Sequence, residues 1–140
     1  MGFSTIAAAA ILGVAILVAT NTFVGSVIPA LTDLNDAYKE LEDRMIERAH
    51  TDVEITGVST TTGNPFNLSI SVENNGSETL KTEKFTVLIN GTIYDFTCST
   101  SYLYPEKTAV FTIHGLTERG LKRIKVVCEN GISDYAEYSV

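Results

Sequence analysis

Phe66-Asn67-Leu68-Ser69-Ile70-Ser71-Val72-Glu73-Asn74-Asn75-Gly76-Ser77 is the stretch on which the fold of this chain turns. Phe66, Leu68, Ile70 and Val72 alternate with Asn67, Ser69, Ser71 and Glu73, the period of a strand with one face buried and one wet. The run Asn74-Asn75-Gly76-Ser77 then ends the strand with residues that favour turns.

Outward from that strand, Val53–Ile55 opens an earlier one, and further strand candidates fit 84–89, 92–98, 107–113, 122–129 and 132–138. Asn90-Gly91 and Asn130-Gly131 lie between pairs of these runs, where a two-residue hairpin needs them. Seven short strands between residues 51 and 140 predict a compact antiparallel β-sandwich. A domain of this size buries one core but gains from a covalent staple. Cys98 and Cys128 are the only cysteines, each at the end of a strand candidate. In a domain outside the cell they read as one disulfide, with a chain-entropy contribution of roughly 3–4 kcal/mol; in a cytosolic domain they read as two buried thiols.

Before the strands comes a segment of different character. The first 32 residues contain no charged side chain, and Ile6 to Ala19 is unbroken apolar or glycine. A bilayer core requires roughly 20 helical residues, and the segment supplies them if Ser4, Thr5, Thr20, Thr22 and Ser26 bond back to helix carbonyls. Residues 1–31 are therefore predicted to form a transmembrane helix. The start Met1-Gly2-Phe3-Ser4 lacks the basic region of a cleavable signal, although small residues near Ala19 keep cleavage as the alternative. Ala7 to Ala10, Gly13 and Ala15 make a side of low bulk, suited to a close-packed second helix or simply to lipid. Orientation is unsigned, since the nearest basic residue is Lys39.

From residue 32 to 50 the pattern is that of an amphipathic acidic stalk. Leu31, Leu34, Tyr38, Leu41 and Met45 recur at steps of three and four, with Val24 and Val27 extending the register backwards. Asp33, Asp36, Glu40, Asp43 and Glu47 occupy other positions. The seam suits a coiled coil, a bundle or packing on the chain's own head. Pro29 lacks a backbone donor and clashes with the carbonyl four residues earlier, so a bend is expected near it.

Chemistry is sparse. No phosphate loop, dinucleotide fingerprint, nucleophile elbow or His-x-x-x-His spacing occurs, so no catalytic residue and no cofactor are assigned. His50 and His114 have no cysteine partner nearby, and no metal site is implied. Glu106, Glu118 and Asp134 read as solvated acids at turns or strand ends. The net charge of -7 disfavours nucleic acid and anionic lipid. Asn67-Leu68-Ser69, Asn75-Gly76-Ser77 and Asn90-Gly91-Thr92 match the glycosylation acceptor pattern, making Asn67, Asn75 and Asn90 candidates and favouring a head outside the cell. Two stretches suit protein contacts: Tyr102-Leu103-Tyr104-Pro105, and the basic run that contains Arg119, Lys122 and Arg123. Tyr135 and Tyr138 are second candidates, with core packing as their competing role.

Met1-Gly2-Phe3-Ser4 with its uncharged helix, the acidic stretch Tyr38 to Arg48, and Thr51-Asp52-Val53-Glu54-Ile55-Thr56 entering one β domain together resemble the archaellum accessory protein F family. The resemblance covers the whole chain in architecture. It implies an immunoglobulin-like head outside the cytoplasmic membrane, held by a single-pass anchor. It also implies binding to the surface-layer protein, partnership with accessory protein G and with motor or filament components, and a non-enzymatic stator role in motility. The competing role is a pilin-like structural subunit of a cell-surface filament, self-associating through the same helix. The lack of a basic, processing-type junction before that helix departs from prepilin precursors.

Overall fold

The structure, a computed structural model, describes residues 2–140. They fall into two compact units, one ending at Asp43 and one beginning at Arg44.

The helical part consists of α1 (Gly2–Thr22), a π-helical stretch (Phe23–Val27) and α2 (Ile28–Ala49). It is long and apolar enough to cross a membrane. The expected return of hydroxyls to the backbone is present. Thr5 donates to the Gly2 carbonyl at 2.8 Å, Thr22 to Val18 at 2.8 Å, Ser26 to Thr22 at 2.5 Å, and Thr20 to Ile16. Each of these four hydroxyls is thereby satisfied without water, which an apolar layer demands. The irregularity tied to Pro29 appears just upstream. The π turn contains Gly25, the residue whose carbonyl a proline at 29 can neither bond nor tolerate in α geometry.

The head contains ten strands: β1 (Val53–Thr60), β2 (Phe66–Asn74), β3 (Leu80–Lys81), β4 (Thr86–Ile89), β5 (Thr92–Tyr94), β6 (Thr97–Cys98), β7 (Tyr102–Leu103), β8 (Thr108–Leu116), β9 (Leu121–Val127) and β10 (Ser133–Ser139). One sheet has the order β1-β2-β8-β6, the other β10-β9-β4-β5, and β3 pairs with β7. All pairings are antiparallel. This is the predicted sandwich. The alternation in β2 holds residue by residue, with Phe66, Leu68, Ile70 and Val72 buried. Across the core they face Val87, Ile89, Ile124 and Val126 of the other sheet, and beside them in their own sheet stand Ala109, Phe111 and Ile113 of β8.

The predicted strand 92–98 is in fact two. The chain breaks at Asp95-Phe96, so that β5 belongs to one sheet and β6 to the other. Phe96 explains the break: its ring turns inward and meets Phe111 edge-on at 5.1 Å. Strands β3 and β7 carried no period-two signal because each is two residues long, yet Leu80 and Leu103 pair and are both fully buried.

The expected disulfide is absent, and both thiols are free. Cys98 lies on the edge strand β6, opposite Phe111, whereas Cys128 is buried beyond the end of β9 in the other sheet. Both pack as small apolar side chains, Cys128 within the core and Cys98 against it.

Candidate functional site

The last helical turns enter the head through a joint made by two loops. After Ala49 the chain turns, with His50 N–H donating to Ile46 O at 3.0 Å and Thr51 N–H to Arg48 O at 3.3 Å. Thr51, itself buried, donates its hydroxyl to Glu47 O at 2.7 Å and accepts from Asn130 Nδ2 at 2.8 Å. Arg48 Nε closes the circuit on Asn130 O at 3.0 Å. Asn130 belongs to the β9–β10 turn, so that hairpin grips the helix end from one side.

The β2–β3 loop grips it from another. Asn75 and Gly76 N–H both donate to Asp52 O, at 2.9 and 3.1 Å, and Ser77 N–H donates to His50 O at 2.8 Å. Gly76 sits so close that a Cβ there would lie 2.4 Å from His50 O and 2.6 Å from Asp52 N. Only glycine admits that approach. Asn74, fully buried, holds the loop in shape: its amide donates to Glu78 O at 2.7 Å and Leu103 O at 3.0 Å while its Oδ1 accepts from Gly76 N–H at 3.0 Å. A buried amide with each group partnered fixes one loop geometry.

Beside the joint lies an open groove of about 450 Å³ lined by Glu47, Glu78, Thr79, Lys84, Glu129 and Asn130. Lys84 and Glu129 form an ion pair at 2.9 Å. Burial pushes the Glu129 carboxyl up, but hydrogen bonds from Lys84 and the Lys81 N–H, with the charges of both lysines, outweigh it and leave the group below its ordinary range. The hydrogen bond to Glu129 raises Lys84 in turn. Among the described residues no three His, Cys, Asp or Glu side chains converge as metal ligands.

The predicted contact residues separate on the structure. Tyr102 and Tyr104 are exposed, their rings 6.4 Å apart, but Leu103 between them is core and is withdrawn from any surface role. The basic run divides too, because β9 alternates. Lys122 is tied to Glu118 at 2.6 Å, and Arg119 donates to Gly63 O at 3.3 Å. Arg123 faces out from the sheet with its guanidinium 4.9 Å from the centre of the Tyr135 ring, and Lys125 stands 5.2 Å from the same ring. The hydrogen bond from Lys125 and the nearby charges lower the Tyr135 hydroxyl's pKa despite some desolvation. Tyr138 is buried in the core, whereas Tyr135 is exposed.

Asn90 and Gly91 both adopt positive φ, 49° and 86°, at the β4–β5 turn, and Asn90 Oδ1 accepts from Arg123 N–H at 2.9 Å. Asn75 is exposed, with its amide on Glu54 at 2.9 Å. Asn67 is half-buried within β2 and accepts from Gly115 N–H at 3.3 Å. Asp134, read from sequence as a solvated acid, accepts from Ile55 N–H at 2.8 Å and so ties the edge strand β1 of one sheet to the edge strand β10 of the other. The sequence reading missed Asn74, Thr51 and Asn130. An asparagine immediately before Asn-Gly was the available signal for the first, since Asx side chains fold back on the backbone two residues on.

The comparisons with known proteins place this architecture. A flagella-related protein F of Methanococcus voltae is 28% identical over 135 residues, covering 96% of this chain and 98% of that protein. The archaeal flagellum of Methanospirillum hungatei strain JF1 superposes over 94% of this chain and 91% of its own, with TM-score 0.72 and 19% identity. The archaellum periplasmic stator protein FlaG from Sulfolobus acidocaldarius matches 63% of this chain and 99% of its own, with TM-score 0.57 and 17% identity. The complex of FlaF and FlaG from the same organism matches 61% of this chain and 87% of that one, with TM-score 0.51 and 19% identity. At these identities the structural likenesses establish the fold, an immunoglobulin-like head behind an N-terminal apolar helix. The sequence model of archaeal-type flagellin matches residues 2–137, nearly the whole chain, and this archaellum-related protein therefore belongs to the archaeal-type flagellin family.

Proposed function

We propose that this chain is a non-enzymatic stator or anchor component of the archaellum. Its helix holds the cytoplasmic membrane in a single pass, and its head lies in the extracytoplasmic space, binding the surface-layer protein. Accessory protein G and other archaellum components are its neighbours there. The observation that carries the reading is the likeness to a flagella-related protein F along both chains nearly end to end. The helix–head joint supports it. Arg48, Thr51, Asn130, Asn74 and Gly76 hold the last helical turn to the sandwich by packing and hydrogen bonds, which suits a head that carries load.

The test is direct binding of the full-length protein to purified surface-layer protein at native salt and pH. Saturable binding is expected, and its absence would count against the role. A second reading, a structural subunit of a filament, draws on the likeness of almost the entire chain to an archaeal flagellum. Residue-level crosslinking in native membranes separates the two. Links from the head to the surface-layer protein favour the stator, whereas repeated self-links along residues 3–45 within a polymer favour the filament.

A further inference from the structure

The two outer faces of the sandwich differ sharply. On the β1-β2-β8-β6 sheet, Ser59, Ser69, Thr112 and Thr97 pair in turn across all four strands, a row of hydroxyls without a charge. On the β10-β9-β4-β5 sheet the corresponding row is Tyr135, Lys125, Leu88 and Ile93. Ile93 is 68% exposed and Tyr135 48%. Arg123 adjoins the row and shares the Tyr135 ring with Lys125.

Neither cation has a carboxylate within 4.0 Å among the described residues, although Glu137 stands across from Arg123 in register. In a molecule of net charge -7 these two are cations of one outer face that no ion pair within 4.0 Å among the described residues holds. Single exposed apolar residues are ordinary on a monomer. A row of tyrosine, leucine and isoleucine flanked by an arginine and a lysine has instead the composition of a contact surface. Cations and apolar groups in one row call for a partner with carboxylates set beside apolar side chains, which is a protein surface rather than a bare polysaccharide.

We propose that the outer face of the β10-β9-β4-β5 sheet is where the head docks on its envelope partner, an acidic and partly apolar protein surface. Resting on the function proposed above, that partner is the surface-layer protein. Arg123 and Lys125 steer and orient the encounter, while Tyr135, Leu88 and Ile93 supply the area that is dried.

The test measures affinity of the full-length protein for purified surface-layer protein at low and high salt. The variants are Arg123→Gln/Lys125→Gln, Ile93→Ser and the distant control Lys107→Gln. The double neutralisation should weaken binding about tenfold and flatten its salt dependence. Ile93→Ser should weaken it several-fold at every salt concentration, and the control should bind as the parent does. Unchanged melting temperatures verify folding, and Ile93→Ser, at an exposed position, keeps the test alive if the double variant fails to fold. If the parent binds and both variants bind equally well, the face assignment is wrong while the stator role stands. If the parent does not bind, the role itself fails and the inference with it. Binding lost on deglycosylating the surface-layer protein but indifferent to Ile93→Ser would make the ligand a glycan and overturn the protein-surface assignment.

Discussion

Phe66, Leu68, Ile70 and Val72 in the head are 0–1% exposed, whereas Ile11, Leu12, Ile16 and Leu17 in the helix are 64–71% exposed, although the residue types are nearly the same. The head spends its apolar surface on its own core. The helix has none of its residues buried and leaves that surface for something else to cover. In water each such side chain forgoes about 1.5–3 kcal/mol of burial, so the helix belongs in lipid or among other helices. The contrast therefore divides the molecule into a part whose stability is its own and a part whose stability is borrowed.

The largest effects come from reversing either side of that contrast. Phe111 is fully buried and meets the rings of Phe85 and Phe96, each at 5.1 Å. Phe111→Ala should cost the head about 3–5 kcal/mol, read as a lower denaturant midpoint, with membrane partitioning untouched. Leu12→Arg should do the opposite. It penalises insertion by about 2.5–3.5 kcal/mol and leaves the head's unfolding unchanged. If Leu12→Arg instead unfolded the head, or Phe111→Ala released the protein from membranes, the two parts would not be independent.

Legibility in the sequence followed the same divide. The uncharged helix and the alternation of β2 could be read because burial and lipid each impose a long, regular pattern. Interactions between residues distant in sequence could not. Cys98 and Cys128 looked like a staple from their count and positions, yet both thiols are free, Cys98 on β6 and Cys128 past the end of β9, and they pack as apolar side chains. Leu103 looked like part of an exposed aromatic loop, yet it pairs with Leu80 in a two-residue strand too short to show periodicity. Lys122 and Arg123 looked alike within a basic run, yet strand alternation gives one an ion pair with Glu118 and the other a place on the outer face. Asp134 looked solvated because its partner, the Ile55 N–H, is a backbone group 79 positions away.

Intermediate effects probe the joint and the seam between sheets. Gly76→Ala forces a methyl against His50 O and Asp52 N, both backbone atoms with little freedom to yield. A cost of about 1–3 kcal/mol is expected, with proteolysis rising first between Ala49 and Val53 while the core strands keep their hydrogen-exchange protection. Uniform destabilisation with no local opening would show that the loop is ordinary core, not a joint. Asp134→Ala leaves the half-buried Ile55 N–H without its acceptor and should cost about 1–2 kcal/mol, with exchange fastest in β1. Protection lost evenly over both sheets would contradict a tie at that edge.

The smallest effect is electrostatic and sits beside the joint. The Glu129 carboxyl is desolvated, which alone would raise its pKa, but the Lys84 and Lys81 contacts hold it below the ordinary 4.5. A depressed acid contributes stability that is present above its unfolded pKa and lost as pH falls through the folded value. Lys84, raised above 10.5 by the same contact, contributes below that pH and loses its share as pH rises through its folded value. The pair therefore acts across the neutral range and fails at both ends. Because the Lys84 side chain is 52% exposed, water and salt screen most of the attraction. Glu129→Gln should shift the urea midpoint only slightly at pH 7 and flatten the acid limb of the stability profile, with the difference from the parent vanishing once pH has fallen below the folded-state pKa and at high salt. An acid limb identical to the parent's would mean that the contact does not stabilise the head, and that the groove's geometry rests on the Asn130 and Arg48 hydrogen bonds alone.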